Sequence, residues 1–247
     1  FIVISSIGDI MSISTGEHQL YKKIVPLTRE KHGHLYIERL DNFAYTRDIK
    51  TVYVFCMEFM RVAKEYPILF NMKTDEIYPV ALLGLQNGKN EFLDKDAHWT
   101  GEYVPCYVRR YPFILTRVDG ETVVGIDDDY PGLNTRGRGT PLFGQVDDGP
   151  MLTEVKDFCA KFQTHIDRTT QFCQKMKELD LLVPARVDNI RVAGKVDLDG
   201  LAHVERQRIW DLDDDTLLDL MKSDTMELLY MHLFSIGLLY TYKERYL

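Results

Sequence analysis

The sequence predicts an α+β fold, in which an antiparallel sheet built from two β-hairpins packs against helices and leads into a helical C-terminal region. Two pairs of short apolar runs, 68–72 with 77–85 and 113–118 with 122–126, are each joined by a turn signal, which is typical of antiparallel hairpins. Apolar residues also recur every three or four positions from residue 51 and again from residue 153. This spacing predicts amphipathic helices.

The chain has 247 residues, 45% of them hydrophobic, and is long enough to bury a sizeable core. We expect one domain over residues 11–247, with a sheet-rich core over 11–150 and a mainly helical part of the same domain over 151–247. Residues 1–10 are apolar and precede Met11, which begins a polar stretch that resembles a natural start. Our hypothesis is that they are an upstream or non-native segment.

The net charge and the hydropathy argue against several classes of protein. A net charge of −8 argues against a general nucleic-acid binder, because such proteins are usually basic. No apolar run approaches the roughly 20 residues that a helix needs to cross a bilayer. The first residues also lack the basic segment and the cleavage site of a signal peptide. We therefore expect a soluble, cytoplasmic protein without a membrane-spanning segment.

The four cysteines argue against two kinds of site. None of them is spaced as CxxC, so a zinc ribbon or a thioredoxin-type redox site is not expected. Each lies in an apolar setting, where a buried free thiol is the common case. We expect all four to be reduced and structural: Cys56, Cys106, Cys159 and Cys173.

The N-terminal half is predicted to contain a helix between strands. Residues 34–37 predict a short strand, and residues 51–66 predict a helix that ends before Pro67, because the residue before a proline avoids the helical region. The runs 68–72 and 77–85 then predict a hairpin closed by a polar turn. A turn at 86–88 follows.

The centre of the chain predicts a second hairpin. Residues 103–111 predict a short helix with Pro105 in its first turn. Asp119 and Gly120 form a strong hairpin turn signal between the runs 113–118 and 122–126. We expect both hairpins in one antiparallel sheet of four or more strands, with the predicted 51–66 helix packed on it.

The C-terminal half is predicted to be mainly helical. Residues 127–149 predict a long loop that contains an RGRG segment at 136–139. This segment is either an ordinary mobile part of the loop or an anion site. A long helix from about residue 153 is followed by extended structure over 185–209, including IRVAG at 190–194. Two further helices begin near residue 211 and over 226–242, and Asp224 is expected to cap the second.

The stretch 84–113 holds the candidate metal ligands. Asp94, Asp96 and His98 form a D-x-D-x-H string, and a loop with this string can fold around a divalent cation. The alternative is a solvated turn, since acidic residues near Asn and Gly are also typical of turns. No HExxH string elsewhere in the chain completes a metal site. Asp94 with His98 is also a candidate acid–base pair.

The same stretch holds the candidate ligand-binding residues. Arginine presents a planar fork that suits carboxylate and phosphate groups, and tryptophan and tyrosine could form an aromatic wall beside it. The candidates are Trp99, Tyr103, Arg109 and Arg110. The alternative is that the aromatic residues are core and that one arginine pairs with a carboxylate of the protein. Cys106 with His98 is a weaker nucleophile candidate, because its flanking residues favour packing.

Several segments together resemble the bacterial SapC family. They are EFMRVAKEYPILF, YPVALLGLQNGKNEFLD, W-x3-YVPCYVRRYPF and the tail LDDDTLLDLMKSDTMELLYMHLFSIGLLYTYKER. The resemblance covers about residues 11–245. It implies an accessory or modifying role, because SapC-like proteins are associated with outer-membrane receptor uptake loci. Some members carry a permease label, which this sequence contradicts because it has no spanning segment.

These observations lead to three functional hypotheses. The first is a non-catalytic accessory or binding protein that serves an outer-membrane uptake or protein-modification system, with a protein partner or a small-molecule ligand. The alternative is an enzyme that modifies a peptide or small molecule, with metal assistance from Asp94, Asp96 and His98. The third is a surface-layer-associated protein. The resemblance supplies no catalytic residues, and the cofactor and the oligomeric state stay unknown.

Overall fold

The computed structural model describes residues 20–73, 76–85, 89–119, 121–145, 148–186 and 198–239. The hypothesis about residues 1–10, the predicted turn at 86–88, the IRVAG strand at 190–194 and the last residues of the predicted 226–242 helix lie outside the described residues. The chain divides into two compact units. The first comprises Phe1–Phe43 and Arg110–Thr164, and the second comprises Ala44–Arg109 and His165–Leu247.

The strands and helices are numbered separately in chain order. The strands are β1 (Ile24–Pro26), β2 (Tyr36–Ile37), β3 (Thr51–Tyr53), β4 (Ile68–Asn71), β5 (Tyr78–Leu82), β6 (Phe113–Val118), β7 (Glu121–Asp127), β8 (Leu133–Asn134), β9 (Thr140–Pro141), β10 (Leu182–Pro184) and β11 (Leu201–Val204). The helices are α1 (Arg29–His32), α2 (Phe59–Val62), α3 (Cys106–Arg109), α4 (Gly149–Glu178), α5 (Arg206–Trp210), α6 (Asp214–Lys222) and α7 (Thr225–Ile236). A 3-10 turn, Cys56–Glu58, precedes α2.

The first unit contains two small antiparallel sheets. One has the strand order β1-β7-β6, and β6 and β7 form the predicted hairpin. The other has the order β8-β2-β9. Asp127, which is fully buried, accepts hydrogen bonds from the backbone N–H groups of Lys22 and Lys23 at 2.9 Å. One buried carboxylate therefore holds the chain that leads into β1 against the end of β7.

The second unit is built on one five-stranded antiparallel sheet. Its strand order is β10-β11-β4-β5-β3, and β4 and β5 form the other predicted hairpin. All five residues of β5 are buried, because the strand lies between two neighbours and has apolar side chains on both faces. Mixed helices and antiparallel sheets, with helices toward the C-terminus, confirm the predicted α+β class.

The predicted helix over 51–66 is wrong over its first half. Residues Thr51 to Tyr53 form β3, which pairs with β5 in the register Val52↔Ala81. The segment from Val52 to Cys56 is buried at every position, so its side chains fill the core on both sides of an extended chain. The β-branched and aromatic residues favour this strand, while their chance spacing of three and four imitates a helix.

The expectation of a single sheet that contains both hairpins is also wrong. The β4–β5 hairpin belongs to the five-stranded sheet, and the β6–β7 hairpin belongs to the sheet with β1. Turn signals and alternation predict which neighbouring strands pair, but they carry no information about pairing between distant strands. The partners of both hairpins, β1, β3 and β11, come from other parts of the chain.

The later elements follow the prediction more closely. Helix α4 begins four residues before the predicted start, and α6 has Asp213 as its N-cap, where the carboxylate accepts from the Thr216 N–H at 2.9 Å. Asp224 precedes α7 but makes no side-chain cap. The RGRG loop is organised by Asn134, whose side-chain oxygen accepts from the N–H groups of Arg136 and Arg138 at 3.1 Å.

Candidate functional site

The loop that carries the predicted metal ligands is a compact turn in the second unit. Leu93 and Trp99 pair across it, and the Asp94 N–H donates to the His98 carbonyl at 3.0 Å. One carboxylate oxygen of Asp94 accepts from the N–H groups of Asp96 at 2.9 Å and His98 at 2.8 Å. Ala97 closes the turn with φ +63°, a left-handed conformation that costs free energy in a non-glycine residue.

The three predicted metal ligands lie together and are exposed. One ligand atom from each of Asp94, Asp96 and His98 lies within 4.8 Å of the others. The second carboxylate oxygen of Asp94 lies 3.2 Å from His98 Nδ1, so both oxygens of Asp94 already have partners. The pKa of Asp94 is lowered, chiefly by the backbone N–H of His98. The spacing of the three side chains could hold a cation, and the hydrogen bonds of Asp94 also make the cluster a self-contained turn.

Trp99 is tied to the body of the second unit through Tyr66. Its indole N–H donates to the Tyr66 hydroxyl at 2.8 Å, and that hydroxyl donates to the Tyr103 carbonyl at 2.5 Å. Tyr66 is fully buried, and the Phe92 ring stacks on the indole with centroids 6.3 Å apart. These contacts give the half-buried Trp99 a packing role, which was the alternative to ligand binding.

Two glutamates that the sequence reasoning did not select hold the segment after Trp99. Glu58, only 2% exposed, accepts from the Phe55 N–H, from the Tyr103 hydroxyl at 2.7 Å and from the Cys106 N–H at 2.9 Å. Glu65 accepts from the N–H groups of Glu102 at 2.8 Å and Tyr103 at 3.0 Å. The run 52–60 contains one charged residue, Glu58, and that isolation in apolar sequence was the signal of a buried carboxylate.

Tyr103, Cys106 and Arg109 form a cluster next to Glu58. The Arg109 Nη2 donates to Cys106 Sγ at 2.8 Å and to the Tyr103 hydroxyl at 3.3 Å, and Nε donates to the Val104 carbonyl at 3.0 Å. Burial first, and then the charge of Glu58, raises the pKa of the Cys106 thiol and that of the Tyr103 hydroxyl. Both groups therefore stay protonated near neutral pH, which is unfavourable for a nucleophile.

A second arginine lies on the same tyrosine. The guanidinium carbon of Arg61 lies 5.6 Å and that of Arg109 5.5 Å from the ring centroid of Tyr103. Both arginines are exposed. Arg61 is in α2, and no sequence pattern pointed to it, because the pairing depends on a tyrosine 42 positions later in the chain. The structure brings together Arg61, Tyr103 and Arg109, of which Tyr103 and Arg109 were predicted site residues.

Arg110 has a different environment from its neighbour. It belongs to the first unit and is 6% exposed, whereas Arg109 belongs to the second unit and is exposed. The Arg110 Nε donates to the Tyr21 hydroxyl at 3.2 Å, and its guanidinium carbon lies 5.8 Å from the centroid of that ring. Tyr21 in turn donates to the Phe113 carbonyl at 2.8 Å. These contacts are typical of an arginine that stabilises a fold.

The three cysteines whose side chains are described, Cys56, Cys106 and Cys173, form no disulfide. This agrees with the predicted reduced state, and the side chain of Cys159 lies outside the described part of the chain. No helix among the described residues has the length and apolar character that are needed to cross a bilayer.

Comparison with known proteins identifies a family. The sequence model of the SapC family matches residues 27–241, which is nearly the whole chain and includes the Glu58, Tyr103 and Arg109 cluster. The search of curated proteins and the search of solved structures each gave no match. The segments that suggested the resemblance all lie within or overlap the matched range. Because the match spans far more than half of the chain, the protein belongs to the SapC family.

Proposed function

We propose that the protein is a non-catalytic accessory or binding protein, and that its ligand or protein partner contacts the surface around Tyr103 and Arg109. The observation that carries the proposal is the setting of Arg109. Three hydrogen bonds, to Val104, Tyr103 and Cys106, fix its exposed side chain, while no carboxylate of the described residues forms an ion pair with it. An exposed cation that the protein itself orients is suited to recognition.

The chemistry of the same cluster supports binding over catalysis. The thiol of Cys106 and the hydroxyl of Tyr103 have raised pKa values because of burial and the nearby Glu58. The Glu58 carboxylate accepts three hydrogen bonds and is 2% exposed, so its oxygens serve the local structure. Groups of this kind position a surface and are poorly suited to attack a substrate.

Exposed apolar side chains in the second unit favour a protein as the partner. Trp210 is 64% exposed, Met221 66% and Phe234 71%. Large apolar side chains that lie together on a surface mark sites of contact with other proteins. A protein partner also agrees with the role that the SapC resemblance implies, service to an outer-membrane uptake or protein-modification system.

Comparative co-purification tests this proposal. The wild-type protein, Arg109→Ala and Arg39→Ala are purified from source cells, and the bound proteins and small molecules are identified by mass spectrometry. Arg39 is the matched control, since it is an exposed arginine in the first unit. We expect the wild type and Arg39→Ala to retain the same partner or ligand and Arg109→Ala to lose it without unfolding. Equal retention by all three proteins contradicts the proposal.

A second candidate function is metal-assisted modification of a peptide or small molecule. It is favoured by the grouping of Asp94, Asp96 and His98, whose ligand atoms lie within 4.8 Å of one another. Carboxylate oxygen and imidazole nitrogen are common ligands of divalent transition metals. The hydrogen bonds of Asp94 within the loop are the competing explanation, because they account for the grouping without a metal.

Metal analysis separates these two explanations. The protein is purified without a histidine tag or added metal, beside Asp96→Asn and His98→Ala. Asp96 is the informative position, because the backbone of the loop depends on the carboxylate of Asp94 and not on that of Asp96. If the wild-type protein contains stoichiometric metal and both variants lose it, the result supports the metal-assisted enzyme. If the wild-type protein contains no metal and NMR shows that the loop is folded, the result supports a turn that is held by its own hydrogen bonds.

A further inference from the structure

Two cations share one aromatic platform in the second unit. The guanidinium carbons of Arg61 and Arg109 both lie within 5.6 Å of the Tyr103 ring centroid, and both side chains are exposed. Within the described residues, neither forms an ion pair with a carboxylate. The ring attracts each cation, but two like charges that lie near the same ring repel each other. An anion between or beside them would relieve that repulsion.

We propose that Arg61 and Arg109 together bind one oxyanion, a carboxylate or phosphate group carried by the ligand or partner. This inference rests on the proposed binding function and specifies the chemistry of what is bound. Carboxylate and phosphate share the planar or tetrahedral oxygen arrangement that a guanidinium fork contacts with two N–H groups. The Tyr103 ring is the group that both guanidinium carbons approach.

The protein holds the platform in place before any ligand arrives. Glu65 accepts from the Tyr103 backbone N–H, and Glu58 accepts from the Tyr103 hydroxyl, so both ends of the residue are fixed. Arg109 is fixed through Nε and Nη2, and its Nη1 makes no hydrogen bond with the described residues. The Nη1 donors therefore stay available, and little side-chain entropy remains to be lost on binding.

The nearby carboxylates do not compete for the arginine donors. Glu58 and Glu65 lie close to Tyr103, but their oxygens accept from backbone N–H groups and from one hydroxyl. Their negative charge does weaken the positive potential of the arginine pair. We therefore expect a small free anion to bind weakly, with a Kd on the order of 1 mM. A ligand with further contacts would bind more tightly.

Side-chain NMR of the arginine Nε–H groups tests the site directly. The full-length protein is titrated with inorganic phosphate, with succinate and, as the ionic-strength control, with sodium chloride. We expect the Arg61 and Arg109 signals to shift along one saturable curve with phosphate, with succinate or with both. The comparison of the two anions distinguishes a phosphate-bearing ligand from a carboxylate-bearing ligand.

Single variants show whether the two arginines act together. Arg61→Gln and Arg109→Gln are each expected to weaken anion binding by roughly tenfold, because each removes one of two charged forks. Arg29→Gln is the matched control, since Arg29 also lies over an aromatic ring, 5.0 Å from the Phe143 centroid, and donates to a carbonyl. Shifts no larger than those with chloride, or different midpoints for Arg61 and Arg109, would overturn the inference.

The two proposals can fail separately. If Arg109→Ala loses its co-purifying partner but phosphate and succinate do not bind, the binding role stands and the oxyanion inference falls. If the anions bind through both arginines but no partner or ligand is lost in Arg109→Ala, the oxyanion site stands and the proposed role falls.

Discussion

At the scale of single residues, Glu58 organises the candidate site. It is a buried carboxylate in a 3-10 turn. Its oxygens accept hydrogen bonds from Phe55, which is nearby in sequence, and from Tyr103 and Cys106, which lie about 45 residues later. A buried carboxylate is costly unless its oxygens are satisfied. Because these hydrogen bonds offset that cost, Glu58 holds Tyr103 in place. The fixed Tyr103 in turn sets the position of Arg109.

The first prediction concerns this carboxylate. Glu58→Gln replaces one acceptor oxygen with an NH2 group that faces backbone or hydroxyl donors, so we expect the free energy of unfolding to fall by about 2–3 kcal/mol. Tyr103→Phe removes one donor and is expected to cost about 1 kcal/mol. Urea denaturation measures both. The exposed Glu102→Gln is the control and should change stability by less than about 0.5 kcal/mol.

The second prediction concerns the two adjacent arginines. Arg110→Ala is expected to lower the free energy of unfolding by about 2–3 kcal/mol, because it leaves the Tyr21 hydroxyl and ring without their buried partner. Arg109→Ala should cost less than about 1 kcal/mol, since its side chain is exposed. Denaturant unfolding compares the two variants, and the binding assays above test function. Equal stability of the two variants would show that the difference in burial has no energetic consequence.

At the scale of elements, the sequence predicts local pairing well and distant pairing poorly. The turn signal at Asp119 acts within a few residues and was placed correctly, whereas the predicted cap residue Asp224 precedes α7 without a side-chain cap hydrogen bond. Strand β3 was mistaken for a helix, because its burial on both faces depends on β5, about 30 residues later.

The same limit applies to the candidate functional site. Asp94, Asp96 and His98 were found together because they are neighbours in sequence, whereas Arg61 meets Tyr103 only through the fold.

Helix α7 is attached to the five-stranded sheet through two polar side chains. His232 is fully buried, and its Nε2 accepts from the Val204 N–H of β11 at 2.9 Å. Ser235 accepts from the Ile68 N–H of β4 at 2.9 Å. The Phe70 ring packs against the imidazole with centroids 4.9 Å apart. His232 is therefore a core histidine with a satisfied acceptor, which is what its position between apolar residues predicts.

The third prediction follows from the buried histidine. Burial, and then the nearby His203, lowers the pKa of His232 to about 3 in the folded protein, against about 6.5 in an unfolded chain. Between these values the unfolded state binds more protons, so stability is complete above about pH 6.5 and falls as the pH decreases toward 3. The contribution of His232 to the change of the unfolding free energy with pH approaches about 1.4 kcal/mol per pH unit.

The variant His232→Gln isolates this contribution. A glutamine oxygen can accept from the Val204 N–H but does not titrate, so the variant should lose stability less steeply between pH 6.5 and 4. Urea denaturation of both proteins across this range gives the difference in slope. Parallel curves for the wild type and the variant would show that His232 is not buried in its neutral form.

At the scale of the whole molecule, the two compact units are interleaved along the chain. The chain passes from one unit to the other after Phe43, after Arg109 and after Thr164. The last of these positions lies inside α4, which runs without a break from Gly149 to Glu178. Neither unit is a continuous segment that could be excised. One domain over residues 11–247 stays a prediction.

The fourth prediction is that the protein unfolds in one cooperative transition. A helix that continues from one unit into the other cannot keep its full hydrogen-bonded length if either unit unfolds, so the loss of one unit should destabilise the other. Arg110→Ala changes the first unit and Glu58→Gln changes the second. Differential scanning calorimetry should therefore show a single peak that both variants shift to lower temperature, with a calorimetric enthalpy equal to the van't Hoff enthalpy. Two peaks, each shifted by only one of the variants, would mean that the units unfold independently and that the single-domain prediction is wrong.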